Sequence, residues 1–380
     1  MPPTLSRALS VTVKRVLPAV AILVALGCSG DRPTLTEAPI NDASSVQVAA
    51  GNAPQSALDV AISLPADLRG DAPVIARVSV ANRSRATVVV PEWQLPSEDL
   101  EAAQFVVLRD GRPVSYAGPH IKRGASPAVA MIRVAPGVTF DYEIELSRAY
   151  DFSQNGRYTI EFVSRGANGG QVSLRSPLQA FVLGGRGASL TTVGPSAFVG
   201  PNSAASITAL AALLSYTACT TTQKQQLVTA VASAATYAAQ AKSYMVANQL
   251  GARYTKWFGT VSTANASKVT ANFSAIDNAF ATKPITVDCG CKKTYFAYVY
   301  PSQPYKIYVC KAFWSARNTG TDSRAGTLVH EMSHFTAVAG TNDWAYGQSA
   351  AASLAISNIL RAISNADNHE YFAENTPVLP

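Results

Sequence analysis

Between residues 58 and 183 the apolar residues of this chain recur at every second position; beyond 206 they recur at every third or fourth. Side chains alternate across a strand but return to one face of a helix after three or four residues, so the two stretches cannot share one element type. One half is therefore built of strands and the other mostly of helices, and 380 residues are more than one core holds easily. In the first half, 58–64, 74–80, 86–90, 105–108, 139–146 and 158–163 alternate or are β-branched. Asp110-Gly111, Pro136-Gly137 and Asn155-Gly156 supply turns between them. Six or seven short strands at this spacing predict an all-β, immunoglobulin-like sandwich over 56–185. No catalytic cluster lies inside it. His120 stands alone and reads as a surface or turn histidine, and Asn82-Arg-Ser84 matches a glycosylation acceptor by coincidence.

A passage rich in Gly, Pro and Ser from Gly184 to Pro201 marks a linker and processing region over 186–205. From 206 to 380 the expectation is a mainly α domain with a small β-sheet or hairpin. Helices are predicted over 223–249, around Trp257-Phe258, over 269–280, 324–336 and 348–364. The pair 295–300 and 305–310, rich in Tyr and Val around a Pro-containing turn, reads as the hairpin.

At the other end, Arg7, Lys14 and Arg15 precede an apolar run from Val16 to Leu26. A spanning helix needs about 20 apolar residues, so this shorter run suits the core of a signal peptide instead. Ala25-Leu26-Gly27-Cys28 resembles a bacterial lipobox, with Ala25 where Leu is commonest. Residues 1–28 are accordingly expected to be a signal with lipidation at Cys28, and 29–55 a flexible tether. Ordinary secretion, with Cys28 lost in the signal, is the alternative. Either way the protein is exported, and it meets a membrane only through that anchor. The formal net charge of +7 comes from scattered Lys and Arg without a basic run interleaved with aromatics, which points to a solvated surface and not to nucleic acid.

Chemistry concentrates in Gly326-Thr-Leu-Val-His-Glu-Met-Ser-His-Phe335. His330 and His334, four residues apart on a helix, present two imidazoles to one metal ion, and Glu331 projects beside them toward a metal-bound water. A catalytic zinc takes a third protein ligand and keeps one position open. The metzincin pattern would need Gly at 337 and His at 340, where this chain has Ala337 and Gly340. No Glu occurs between 331 and 370, and Asp343, in a loop bounded by Gly340 and Gly347, is the nearest carboxylate. From residue 325 onward the one basic residue, Arg361, faces Glu331, Asp343, Asp367, Glu370 and Glu374, so the metal end is locally acidic and favours a cationic substrate side chain. Cys219, Cys289, Cys291 and Cys310 all fall in this half; bonding across Gly290 alone is sterically poor, so two other staples or a four-cysteine zinc site remain.

His-Glu-x-x-His followed by Gly340-Thr-Asn-Asp-Trp-Ala-Tyr-Gly347 resembles the aspzincins, the deuterolysin and peptidyl-Lys metalloendopeptidase group. The resemblance extends through Trp257-Phe-Gly259, Tyr298-Val-Tyr-Pro301, Gly320-Thr-Asp-Ser323 and Asn365-Ala-Asp-Asn-His-Glu-Tyr-Phe372, covers roughly 215–380, and is nearest the Lys-specific branch. It implies a zincin-type metalloendopeptidase holding one zinc ion per chain through His330, His334 and Asp343. It further implies Glu331 as general base, Tyr346 at the oxyanion, Asp367 and Glu370 in a pocket for lysine after the cleaved bond, and disulfides Cys219–Cys289 and Cys291–Cys310. The sandwich, around Arg109-Asp-Gly-Arg-Pro-Val114, resembles the propeptides of these enzymes, so the chain's own pro-domain is an expected partner alongside peptide substrates. Two competing readings are an aspzincin of relaxed specificity and an inert, surface-anchored binding lipoprotein; the presence of Glu331 weighs against the second.

Overall fold

A computed structural model describes residues 58–124, 131–165, 172–186, 211–247 and 250–380. The expected signal with Cys28, the tether, and all of the 186–205 linker except Arg186 lie outside those residues.

The first half is β-rich. Strands Asp59–Ser63, Ile75–Ala81 and Thr139–Glu145 form one antiparallel sheet. A second runs in the order Asp67–Arg69, Gln179–Gly184, Gly156–Arg165, Phe105–Arg109 and Arg112–Pro113, with Val172–Arg175 also pairing on Gly156–Arg165. Alternation decides the faces: Ala76, Val78 and Val80 are buried, whereas Arg77 of the same strand reaches out to an exposed pair with Glu143. Val78, Val80, Ile144, Tyr158, Ile160 and Phe162 belong to one continuous apolar core. Each such side chain contributes roughly 1.5–3 kcal/mol on burial. Asn82 is buried and donates to the carbonyls of Ala86 and Val134, so its amide is structural.

The second half wraps helices around a five-stranded mixed sheet. Its order is Leu214–Thr217, Ile285–Asp288, Lys306–Val309, Ala297–Val299 and finally His120–Lys122. The first three strands are parallel; Ala297–Val299 turns back antiparallel on Lys306–Val309. The fifth strand comes from the β-rich half of the chain and lies antiparallel on Ala297–Val299. Two of these strands were not expected from the sequence. Leu214–Thr217 precedes the helix expected over 223–249, and Ile285–Asp288 lies outside the expected hairpin; at four residues each, they are set by their pairing partners more than by local propensity. The helix expected over 348–364 is also divided. Asn358, at φ −155°, ends Gln348–Ser357 and caps Ile359–Ala362 by accepting from the Arg361 N–H.

Helix Thr221–Val246 begins with a reciprocal capping box between Thr220 and Gln223. It turns Leu227, Val231, Ala234, Ala238 and Ala241 inward, and its small residues let it pack closely on helices Thr263–Thr282 and Arg324–His334. Disulfides join Cys219 to Cys289 and Cys291 to Cys310, tying the sheet ends together. Helix Arg324–His334 is the central element, packed on the sheet and on helix Ala366–Glu374. A Cβ at Gly326 would collide with the Glu374 carboxyl, so glycine permits that close approach.

Candidate active site

Because helix Arg324–His334 is buried on every side, His330, Glu331 and His334 are shut away from solvent with fixed rotamers. Its start is held by Ser323, whose hydroxyl accepts from the Gly326 N–H, and Glu374 accepts from the Asp322 N–H, the Ser323 N–H and the Ser323 hydroxyl. Glu374 thus caps this helix, and is not one more carboxylate facing a ligand. After the helix the chain turns through Gly340, at φ +60°, and brings Asp343 back over the histidines. Asp343 Oδ1 lies 3.2 Å from His330 Nε2 and 3.3 Å from His334 Nε2.

Those three atoms have no hydrogen-bond partner among the described residues, although each is buried. Tetrahedral zinc, with bonds of about 2.0–2.2 Å to N and O donors, sets its ligands about 3.3–3.5 Å apart. The donor set and its spacing therefore fit zinc. The surroundings fix the ligating tautomers. His334 Nδ1 lies 3.0 Å from the Thr341 carbonyl, which leaves Nε2 for a metal, and the Thr341 hydroxyl is 2.6 Å from that of Ser333. His330 Nδ1 lies 2.8 Å from Asp367 Oδ1, the carboxylate–histidine arrangement that orients a ligand ring. Burial alone would raise the Asp343 carboxyl, but the imidazoles of His334 and His330 hold it well below the usual range. For Glu331, burial, reinforced by the Asp343 charge, pushes the carboxyl well above it. Tyr346 lies in the same loop; burial and the Asp343 charge raise its hydroxyl well above the ordinary value, against the opposing Arg123 guanidinium. A cavity of about 100 Å³ runs beside it, bounded in part by Tyr116, His120, Arg123, Asp343 and Trp344.

The second carboxylate group lies deeper. Asp367 and Glu370, on helix Ala366–Glu374, are fully buried beside His330. Asp367 Oδ2 also accepts from the Gly347 N–H at 2.5 Å, where glycine adopts φ +84°. Between them sits an ammonium: Lys122 Nζ is 2.6 Å from Glu370 Oε2, 3.1 Å from Asp367 Oδ1 and 3.2 Å from Asp322 Oδ1. Burial disfavours that charge, yet the surrounding carboxylates hold the Lys122 ammonium well above its ordinary pKa.

Among the sequence-identified residues, the structure unites His330, His334, Asp343 and Glu331 in one cluster, with Tyr346 on the same loop and Asp367 and Glu370 behind it. His369, between those two, stays apart: its ring lies against Phe258 and Phe273, with Nδ1 2.9 Å from the Asn365 carbonyl and Nε2 3.0 Å from Asn272 Nδ2. His120 is corrected outright. It is buried, not at a surface or turn, with its ring 4.6 Å from that of His334. Asp322, Thr341 and Asn365 were missed as site residues. Asn365 Oδ1 accepts from the N–H groups of Trp344 and Ala345 and so clamps the Asp343 loop. All three fall within or beside motifs that carry the resemblance, the one signal that could have drawn attention to them.

Comparison with known proteins identifies the family. The aspzincin family pattern, described as lysine-specific metallo-endopeptidase, matches residues 243–374. An extracellular protease of Aeromonas hydrophila is 41% identical over 303 residues, covering 79% of this chain and 87% of the relative. The chain belongs to the aspzincin metallopeptidases. This aspzincin is thus a zinc-dependent metalloendopeptidase acting on peptide substrates. It is also 50% identical over 166 residues to a peptidyl-Lys metalloendopeptidase of Armillaria mellea, covering 43% of this chain and 47% of that relative. A solved zinc peptidase from Grifola frondosa is 44% identical, covering 42% of this chain and 99% of that one, with a TM-score of 0.40. No helix among the described residues is long and apolar enough to cross a membrane.

Proposed function

We propose that this aspzincin is an exported endopeptidase that hydrolyses peptide bonds on the amino side of lysine. One zinc ion per chain would be held by His330, His334 and Asp343. The observation that carries the lysine preference is the ammonium of Lys122, enclosed by Asp367, Glu370 and Asp322 directly behind the His330 ligand. A buried set of carboxylates is costly without a cation, so the pocket favours a side chain that brings one. Lysine reaches such a depth as a compact point charge on a flexible stem, whereas a planar guanidinium needs a wider slot.

Zinc, when bound, supplies Lewis acidity to the scissile carbonyl and an acidified water. The chain's own residues do the rest. Glu331, beside the two histidines on the same helix, takes a proton from the attacking water and returns it to the departing amine. The Tyr346 hydroxyl, kept protonated by burial, donates to the developing oxyanion. Thr341 and Asp367 orient the two imidazoles from behind. We assign 56–185, as an immunoglobulin-like sandwich, to a pro-domain removed somewhere between 184 and 218. Export rests on the basic and apolar N-terminal pattern, with Cys28 as the lipidation site.

Digestion of a mixed peptide pool, with termini read by mass spectrometry, tests the specificity. New N-termini beginning with lysine should dominate, and a chelator should abolish them. Asp367→Asn should cut the preference for lysine over neutral residues about 10- to 100-fold, the scale of one lost charged contact. An unchanged preference rejects the pocket.

A further inference from the structure

The strand His120–Lys122 belongs to the β-rich half by sequence, yet it completes the sheet of the catalytic half. Its pairing is that of an extended peptide added to a sheet edge: Lys122 opposite Ala297, Ile121 opposite Tyr298, His120 opposite Val299. The Lys122 carbonyl also accepts from the Phe296 N–H at 3.1 Å. An ordinary interface strand would turn apolar side chains into the neighbouring core. This one instead turns a fully buried lysine into three carboxylates.

The backbone on the amino side of that lysine is equally well placed. The Ile121 N–H donates to Asp343 Oδ2 at 3.1 Å, and the next N–H along the strand is that of Lys122. The peptide bond lying between those two N–H groups is Ile121–Lys122, an Xaa-Lys bond. The Asp343 loop holds its amino side through the Ile121 N–H, and the carboxylates of Asp322, Asp367 and Glu370 hold the Lys122 side chain beyond it. His120, packed on the His334 ring with Nδ1 3.9 Å from Asp343 Oδ2, covers the same site from outside. While the strand is in place, no second lysine can enter the pocket.

We propose that the Ile121–Lys122 bond is a substrate of this enzyme within its own chain, and that its hydrolysis opens the cleft to other peptides. The proposal rests on the lysine-directed reading above. In the step, water adds its oxygen to the Ile121 carbonyl carbon and the C–N bond breaks. The Lys122 nitrogen leaves with a proton returned by Glu331, giving a carboxylate at Ile121 and a free amine at Lys122. Cutting within a strand of three residues leaves pieces too short to hold the sheet edge, so both ends are released.

The full chain, purified in chelator and then given Zn2+, provides the test, with intact mass and N-terminal sequencing followed over time. A fragment beginning at Lys122 should appear with a half-time independent of protein concentration. Glu331→Gln should slow its appearance by on the order of 100-fold or more, and hydrolysis of an added Xaa-Lys peptide should rise in step with the cut. A wild-type chain that stays intact at this bond overturns the proposal, as does a rate that grows with protein concentration. Lys122→Met, which removes the lysine from the pocket, separates this idea from the specificity beneath it. If the wild-type chain stays whole while Lys122→Met cuts the added peptide before lysine, self-cleavage is wrong and the specificity stands. If Lys122→Met cuts that peptide without regard to lysine, the specificity itself is wrong. Should that variant fail to fold, the wild-type and Glu331→Gln time courses still decide the question.

Discussion

The two halves of this chain treat charge in opposite ways. In the β-rich half the continuous core is apolar, and ion pairs such as Arg77–Glu143 and Arg83–Asp59 lie on the surface, where each contributes at most about 1 kcal/mol. The catalytic half buries His330, Glu331, His334, Asp367, His369 and Glu370 completely. Burying that many ionisable groups costs several kcal/mol apiece unless each finds a partner. Stability alone gives no reason to keep them, so their concentration marks the working part of the molecule. Apart from the strand His120–Lys122, which carries its buried lysine into the second half, the first half therefore obeys rules of volume, and the second rules of charge and hydrogen bonding.

The sharpest way to press this contrast is Glu331→Gln, which alters charge but hardly shape. It should lower kcat toward Xaa-Lys peptides by about 10²- to 10⁴-fold, the span of general acid–base catalysis. Bound zinc, measured by atomic absorption, should stay near one equivalent. Retained activity would leave the catalytic half without its base.

Next in size is Cys219→Ser, which opens a bridge between residues 70 apart. Chain entropy predicts a loss of about 4 kcal/mol. In urea the catalytic half should then unfold earlier while the β-rich half keeps its own midpoint. One shared transition for both would show a single cooperative unit, against the division drawn here.

A smaller effect comes from His369. Burial, the largest cause, lowers its pKa to about 4, and its two ring contacts suit a neutral imidazole that donates at Nδ1 and accepts at Nε2. The unfolded chain, with histidine near 6.5, binds the extra proton first as the pH falls. Stability should thus be intact above about pH 6.5 and decline by about 3 kcal/mol as the pH drops toward 4. Denaturant titrations of wild type and His369→Gln across this range should differ in slope by that one proton. Parallel curves would remove His369 from the buried charge set. Smallest is Ile160→Val in the β-rich core, at about 1 kcal/mol by loss of one methylene, with kcat/KM of the cleaved enzyme unchanged.

Legibility in the sequence follows the same division. Alternation made Ile75–Ala81, Thr139–Glu145 and Gly156–Arg165 recognisable because a strand's buried face repeats within five to ten residues. The four-residue strands Leu214–Thr217 and Ile285–Asp288 are too short to show a period, and their partners are remote in sequence. Within the site, His330 and His334 could be paired on sight, since helical geometry alone places them one turn apart.

Local rules thus determined the element types, the histidine pair and the acidic character of the last fifty residues, because each depends on neighbours within one or two turns. Only the tertiary structure decided that His120 lies against His334, that Asp322 joins Asp367 and Glu370, and that Lys122, 245 residues from Asp367 along the chain, sits among these carboxylates. A contact of that span leaves no periodic trace in the chain. It exists only where the closing of a sheet and the burial of a charge are satisfied by the same three residues.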